Sequence, residues 1–486
     1  MTRNVYARGL IVLLSAVCFT SIASAQTSWW RTYGGPEYDA GYVVQQTTDG
    51  GYIIAGITNS FGAGTPDFDN FYLIRTDSAG DTLWTRAYGG PSHDCSSSAQ
   101  QTTDGGYIIT GMTYSFGAGN GDVYLVKTNA SGDTLWTKTY GGVADDAGNF
   151  VRQTADSGYI IAGWTFSFGP GTPTCKNIYL IKTSAQGDTL WTRTYGGTDY
   201  DGSSSVQQTA DGGYIVAGYT RSFGADSGDV YLVKTRAQGD TLWTRTYGGS
   251  RYDGAASVQL TSDGGYIIAG NTNSFGVGTP DSDNVYVIKT DSSGDTLWTR
   301  AYGGSSLDAG SEIHQTADGG YIVVGLTGTS GAGYMDVYLV KTNAAGDTLW
   351  TRTYGGTDED WGLSVQQTAD GGYIVAGFTY SYGAGSEDVY LIKTDAGGNV
   401  GIEEPLPRYP ARPARFLVQP NPFTSLARVP GHETDVFVLS DVTGRQVAVC
   451  KGDRVGEGLR PGVYFLSPVG LKTGKAVTET IIKAAF

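Results

Sequence analysis

An all-β fold built from seven copies of one four-stranded unit is what this sequence predicts, on three observations. Tyr-Gly-Gly recurs at Tyr33, Tyr88, Tyr140, Tyr195, Tyr247, Tyr302 and Tyr354, at intervals of 55, 52, 55, 52, 55 and 52 residues. Periods of this size mark propellers, solenoids or arrays. Each repeat reads as four short strands with turn residues between them, and no stretch carries a 3.6-residue period. The 74 Gly and 33 Tyr suit turns and half-buried strands rather than helices. Four strands in each of seven repeats predict a seven-bladed β-propeller. The main competitor, a parallel β-solenoid, has shorter rungs.

The repeat from Trp84 to Leu135 shows the elements in order. Trp84-Thr85-Arg86-Ala87-Tyr88 alternates large and polar residues, and Gly89-Gly90-Pro91 breaks it. Ser98 to Thr102 is a short second strand. Asp104-Gly105-Gly106 is a tight turn whose glycines supply positive φ. Tyr107-Ile108-Ile109-Thr110-Gly111 is an apolar strand, Ser115 to Gly119 a Gly-rich loop, and Val123 to Thr128 the last strand before the turn Asn129 to Asp133. The seventh repeat ends at Thr394 without a Trp strand of its own, while an orphan Trp strand stands at Ser28 to Tyr33. The N-terminal strand is therefore expected to complete the last blade and close the ring.

Counting strands outward from the channel, the crossover between blades and the loop after the second strand share one face. They are the long connections, so that face is the functional candidate. Repeats one, three and five carry a three-residue insertion in that loop, marked by Thr65-Pro66, Thr172-Pro173 and Thr279-Pro280. Alternate blades should carry taller loops there.

The flanks are of another kind. Arg3 and Arg8, an apolar run from Gly9 to Ile22 and Ala23-Ser24-Ala25 read as a signal peptide over 1–25. The run is short for a membrane span of about 20 residues, so no transmembrane segment is expected after cleavage. The propeller is assigned to 26–400. Residues 401–415, with Pro405, Pro407, Pro410 and Pro413, read as a linker. Residues 416–486 read as a small β-sandwich with strands at Asp435 to Leu439, Gln446 to Cys450, Gly462 to Leu466 and Val477 to Lys483.

The formal net charge is −15, and with Arg3 and Arg8 removed the repeat region alone carries about −20. Such a surface repels phosphate backbones and argues against nucleic acid as a partner. Beyond the signal only Cys95, Cys175 and Cys450 remain, with no C-x-x-C, so neither a disulfide framework nor a structural zinc site is expected.

The tail resembles the C-terminal sorting domain (type A) of type IX secretion substrates of Bacteroidetes and related bacteria. The resemblance is carried by Pro420-Asn421-Pro422-Phe423, Val438 to Arg445, Leu459 to Phe465 and Ile481-Ile482-Lys483. It departs in a short middle and an Ala484-Ala485-Phe486 terminus. The resemblance implies recognition by the type IX machinery, then removal of the tail or its exchange for a surface anchor. It also implies an extracellular or outer-membrane location reached through the periplasm. Tyr72 to Trp84 is similar to the hairpin of quinoprotein-type propellers, where a Trp docks between blades, and more loosely to the Asp-box of sialidases. Both are turn chemistry and transfer no activity.

One acidic residue recurs six positions after each marker tyrosine: Asp39, Asp94, Asp146, Asp201, Asp253, Asp308 and Asp360. A ring of carboxylates near the mouth would suit Ca2+ through oxygen ligands. A residue present in every blade more readily serves the blade, here by accepting backbone N–H bonds. Function is expected where the repeat breaks its symmetry. Trp361 stands where six repeats have a small residue. Tyr38, His93, Tyr200 and Tyr252 precede the recurring Asp, and Tyr114, Arg221 and Tyr380 stand at the exit of the second strand. Aromatic and polar groups on one rim suit a glycan or protein ligand. No cofactor is required by this reading. Catalysis has thin support: His93 and His314 lack nucleophile or metal-ligand spacing, and the rare acids Glu37, Glu312, Glu359 and Glu387 form no motif. The predicted role is binding or structural. The alternative is a carbohydrate-active or quinoprotein-like enzyme at the Asp-rich mouth.

Overall fold

The computed structural model describes residues 28–225, 227–278 and 282–401. Of the C-terminal region it describes 427–428, 436–441, 446–451, 454–455, 460, 462–468 and 479–483. The segments read as a signal peptide and, beyond residue 401, as a linker, together with Thr279-Pro280, Pro420 to Phe423 and Ala484 to Phe486, lie outside the described residues.

Twenty-eight strands form seven antiparallel four-stranded sheets, and the chain is a seven-bladed propeller. Blade one runs outward through Asp39–Gln46, Tyr52–Thr58, Asn70–Thr76 and Thr82–Tyr88, and the next five repeat this order. Blade seven takes its inner three strands from Asp360–Gln367, Tyr373–Thr379 and Asp388–Thr394. Its outer strand is Trp29–Tyr33, paired antiparallel with Asp388–Thr394, so the N-terminal strand closes the ring as expected.

The second and third strands of each blade are buried along almost their whole length, which their apolar, β-branched sequences suit. The outer strand alternates exposed and covered residues, and its Trp docks on the next blade. Trp84 meets Tyr107 edge-on with ring centroids 5.8 Å apart, and Trp29 meets Tyr52 at 5.9 Å.

The marker tyrosine is an inter-blade latch. Its hydroxyl donates to the carbonyl of the turn glycine of the following blade in all seven places, for example Tyr33 to Gly80 at 2.7 Å and Tyr195 to Gly239 at 2.6 Å. That glycine must be glycine twice over: Gly239 has φ +80°, and a Cβ there would strike Trp191 and Arg193.

The Gln-Gln pair ending the inner strand makes a second girdle. Gln101 accepts the N–H of Thr48, Gln153 that of Thr103 and Gln208 that of Ala155, each from the turn of the preceding blade. The Asp-Gly-Gly turns on that face behave as read, with Gly50 at φ +86° and Gly105 at +81°. Blade three has Ser157 in the same left-handed conformation, at +65°.

In the C-terminal region Val436–Asp441, Gln446–Lys451, Gly462–Pro468 and Glu479–Lys483 form one antiparallel sheet, with Phe437, Leu439 and Leu466 buried. Ala427–Arg428 pairs with Arg454–Val455. Among the described residues, that two-residue ladder is all there is beside the sheet.

Candidate binding site

The inner strands start at the mouth and end at the face of the tight turns. The recurring Asp is the first residue of each inner strand and is fully buried in all seven blades. One oxygen of Asp39 accepts the N–H of Gly35 at 2.7 Å and the hydroxyl of Ser60 at 2.6 Å. Asp94, Asp146, Asp201, Asp253, Asp308 and Asp360 make the same pair of bonds in their own blades. Each therefore ties its incoming crossover to the loop that follows its own blade's second strand. Its N–H bonds the preceding blade, as Asp39 does to the carbonyl of Glu387 at 3.0 Å. Burial raises the pKa of Asp39, and its hydrogen bonds from Ser60, Thr58 and Gly35 oppose the rise. The seven are held apart in seven blades. Among the described residues no three His, Cys, Asp or Glu side chains stand close enough to share a metal ion.

The alternation of loop lengths reappears as chemistry at the start of the third strand. In the long-loop blades Asn70, Asn177 and Asn284 donate to loop carbonyls, Asn70 to Ala63 at 2.8 Å and Asn177 to Pro170 at 2.8 Å. In the short-loop blades the loop presents N–H groups, and an Asp accepts them, Asp122 from Ala118 and Asp388 from Ala384, both at 2.6 Å. Loop length thus selects amide or carboxylate.

The rim residues gather into groups. The second residue of the inner strand pairs in register with the sixth of the second strand: Ala147 with Trp164, Gly202 with Tyr219, Trp361 with Phe378. A small inner residue makes room for a large partner. Blade seven breaks this rule, and Trp361 stacks on Phe378 at 5.3 Å and 28°. Phe378 also meets Tyr380 edge-on at 6.2 Å, and Tyr38 and Tyr42 stand hydroxyl to hydroxyl at 3.4 Å. The indole N–H of Trp361 is buried without a protein partner.

Across blades three to five runs a second strip. Trp164 meets Phe166 at 5.6 Å, Phe166 meets Tyr200 at 6.2 Å, and Tyr219 meets Tyr252 at 6.2 Å. Lys176 sits between the halves, its ammonium 5.3 Å from the Trp164 ring and 5.1 Å from that of Tyr219. Burial among these rings lowers the Lys176 pKa, Tyr200 raises it and Arg221, exposed beside the strip, lowers it. His93 joins the Trp361 group only indirectly, through Asp69 and Cys95. His93 bonds Asp69 at 2.9 Å and meets Phe68 edge-on, and Tyr114 is hydrogen-bonded to Asp145.

Sequence reasoning missed Tyr42, Trp164, Lys176, Tyr219 and Phe378. The signal was present, because the sixth residue of the second strand varies (Ile57, Met112, Trp164, Tyr219, Asn271, Leu326, Phe378) between constant neighbours. It was also missed that Glu387 is a titrating group. Burial pushes it up to about 7, the Tyr380 hydroxyl opposes and Glu359 adds to the rise.

No known family model matches the chain. A curated relative, the regulatory protein FlaEY of Caulobacter vibrioides, is 25% identical over 254 residues, covering 46% of this chain and 26% of that protein. The chain thus spans about a quarter of the relative's length. Among solved structures, PorZ of Porphyromonas gingivalis, a surface component of the type IX secretion system, is similar at 12% identity and a TM-score of 0.43, covering 93% of this chain and 60% of that one. The Pan2 WD40 domain of Neurospora crassa is similar at 10% identity and a TM-score of 0.45, covering 77% and 97%. The seven-bladed assignment rests on the chain's own strand order.

Proposed function

We propose that this chain is an exported propeller, delivered to the cell surface by a C-terminal domain of type IX kind, whose mouth face binds a glycan or, failing that, a protein surface. The observation that carries the binding role is the aromatic strip over blades three to five, with Lys176 held between Trp164 and Tyr219. Flat rings bury area at little entropic cost, and sugar faces stack on them. The half-buried Trp361, stacked on Phe378, supplies a second platform. Nothing in this role calls for a cofactor or a metal. The sorting motifs of the tail support the address.

A glycan-array screen of the purified full chain tests the reading. Saturable binding that Trp164→Ala or Trp361→Ala abolishes is expected. A protein that retains no glycan loses the sugar assignment, and one that also captures no surface protein loses the binding role.

A second reading rests on the placing of the buried Glu387 beside Tyr380 at the mouth, where burial, and then Glu359, push its carboxyl up to about 7. An acid of that pKa suits general acid catalysis of glycoside cleavage. Hydrolysis of an aryl glycoside, lost in Glu387→Gln, would favour it over simple binding.

A further inference from the structure

The seventh residue of the inner strand is Gln in five blades (Gln45, Gln100, Gln207, Gln259, Gln366), but Arg152 in blade three and His314 in blade six. Three of the glutamines have a visible job. Gln45, Gln100 and Gln366 each accept a backbone N–H from the next inner strand, at 2.8, 2.7 and 2.6 Å. A guanidinium has no acceptor, so Arg152 gives up that bond between blades three and four.

The charge it brings makes no direct ion pair among the described residues, although Glu312 acts on it from across the cavity. Arg152 donates to the Val151 carbonyl at 3.0 Å and stacks on Phe150 at 4.0 Å, and among the described residues no carboxylate forms an ion pair with it. Burial in the channel lowers its pKa to about 10, with Glu312 pulling the other way. The Glu312 carboxylate is already engaged, accepting from His314 Nε2 at 3.0 Å, the Ser364 hydroxyl at 2.7 Å and the Val365 N–H at 2.9 Å. Arg152, His314 and Glu312 line one cavity of about 90 Å3 with Gln45, Gln100 and Gln366. Through Gln45 and Gln366 it adjoins a wider space of about 320 Å3 at the tight-turn face.

Arg152 is half-buried in the channel wall, and a cation desolvated in this way is ordinarily paired, because an unpaired charge away from bulk water is costly. The guanidinium fork fits a planar carboxylate through two parallel bonds. A space of this size holds several waters and so has room for an acid of one or two carbons. We propose that the channel binds a small monocarboxylate, formate- to acetate-sized, held on Arg152, whose guanidinium Phe150 backs, beside the Glu312–His314 pair. The site lies in the channel, and Arg152 and His314 are not among the rim residues of the mouth face.

The test titrates sodium acetate into the full-length protein at constant ionic strength, with chloride as the reference anion, by calorimetry and by thermal midpoint. Saturable binding is expected, weakened roughly tenfold or more in Arg152→Gln, the worth of one charge-assisted hydrogen bond. That variant restores the residue of five other blades, and its midpoint without acetate should equal or exceed the parent's. Phosphate, tetrahedral and bulkier, should bind more weakly than acetate. Absence of saturable acetate binding, equal binding by Arg152→Gln, or phosphate binding as tight as acetate would each overturn the assignment.

Discussion

Asp388 and Asp39, from blades seven and one, close on the same glycine from two sides: a Cβ on Gly34 would overlap Asp388 Oδ1 and lie 2.8 Å from Asp39 Oδ2. The same arrangement recurs where Asp122 faces Asp146, Asp229 faces Asp253 and Asp336 faces Asp360, at Gly141, Gly248 and Gly355. Where the preceding blade has a long loop, Asn70, Asn177 or Asn284 replaces one carboxylate and the repulsion is absent.

This geometry predicts a pH dependence. Burial lifts Asp388 to about 6, the N–H groups of Gly385 and Ala384 oppose and Asp39 adds to the rise. The folded chain then binds more protons than the unfolded one between about pH 4 and 6, so stability rises as pH falls through that window. Glu387, lifted to about 7, acts in the same direction. Asp104, Asp156, Asp211, Asp263 and Asp318 are held down to about 2, partly by the lysines beside them, so their contribution is lost below about pH 4. A thermal midpoint highest near pH 4 to 5 is expected. Asp388→Asn should flatten the rise between pH 7 and 4 by on the order of 1 to 2 kcal/mol. A midpoint independent of pH across that window would contradict the pairing.

The tyrosine latch gives a mutational prediction. Tyr195→Phe removes the hydroxyl that serves the Gly239 carbonyl at 2.6 Å and leaves a buried acceptor unsatisfied. A loss of about 1 to 2 kcal/mol is expected by denaturant midpoint. Gly239→Ala should cost more, because it adds a clash with Trp191 to a left-handed backbone.

Ser157 occupies the left-handed turn position that other blades fill with glycine, at φ +65°. At Gly50 and Gly105 a Cβ would meet nothing within 4 Å, so the cost at Ser157 is backbone strain alone. Ser157→Gly is expected to raise stability by about 0.5 to 1 kcal/mol, net of the looser unfolded chain. Calorimetric melting of the two proteins side by side decides it.

Leu260 interrupts the glutamine girdle at the end of the inner strands. Its counterparts Gln208 and Gln315 accept N–H bonds from Ala155 and Ser262 at 2.9 and 2.8 Å. Leu260→Gln should accept from Ala210 and add about 0.5 to 1.5 kcal/mol, although it swaps an apolar residue for a polar one. A lower midpoint would show that Leu260 packs in a way the girdle does not explain.

What could be read in advance follows from what repeats. The four-strand unit, the closing role of Trp29 to Tyr33 and the blade-local job of the recurring Asp all leave a mark seven times over. Register does not. That Trp164 lies opposite Ala147, or Trp361 on Phe378, depends on which residues pair across two strands, and one residue of slip would move every side chain to the other face. The channel was obscured for a related reason. Glu312 and His314 are conspicuous as rarities, but only strand order brings Arg152, 160 residues away in sequence, to the cavity they line.

The closure by Trp29–Tyr33 has a consequence for the order of events during synthesis. The first strand made is the last to be used, since its partner Asp388–Thr394 emerges more than 350 residues later. No partial chain can complete the circle, so the finished ring certifies that translation reached the seventh repeat.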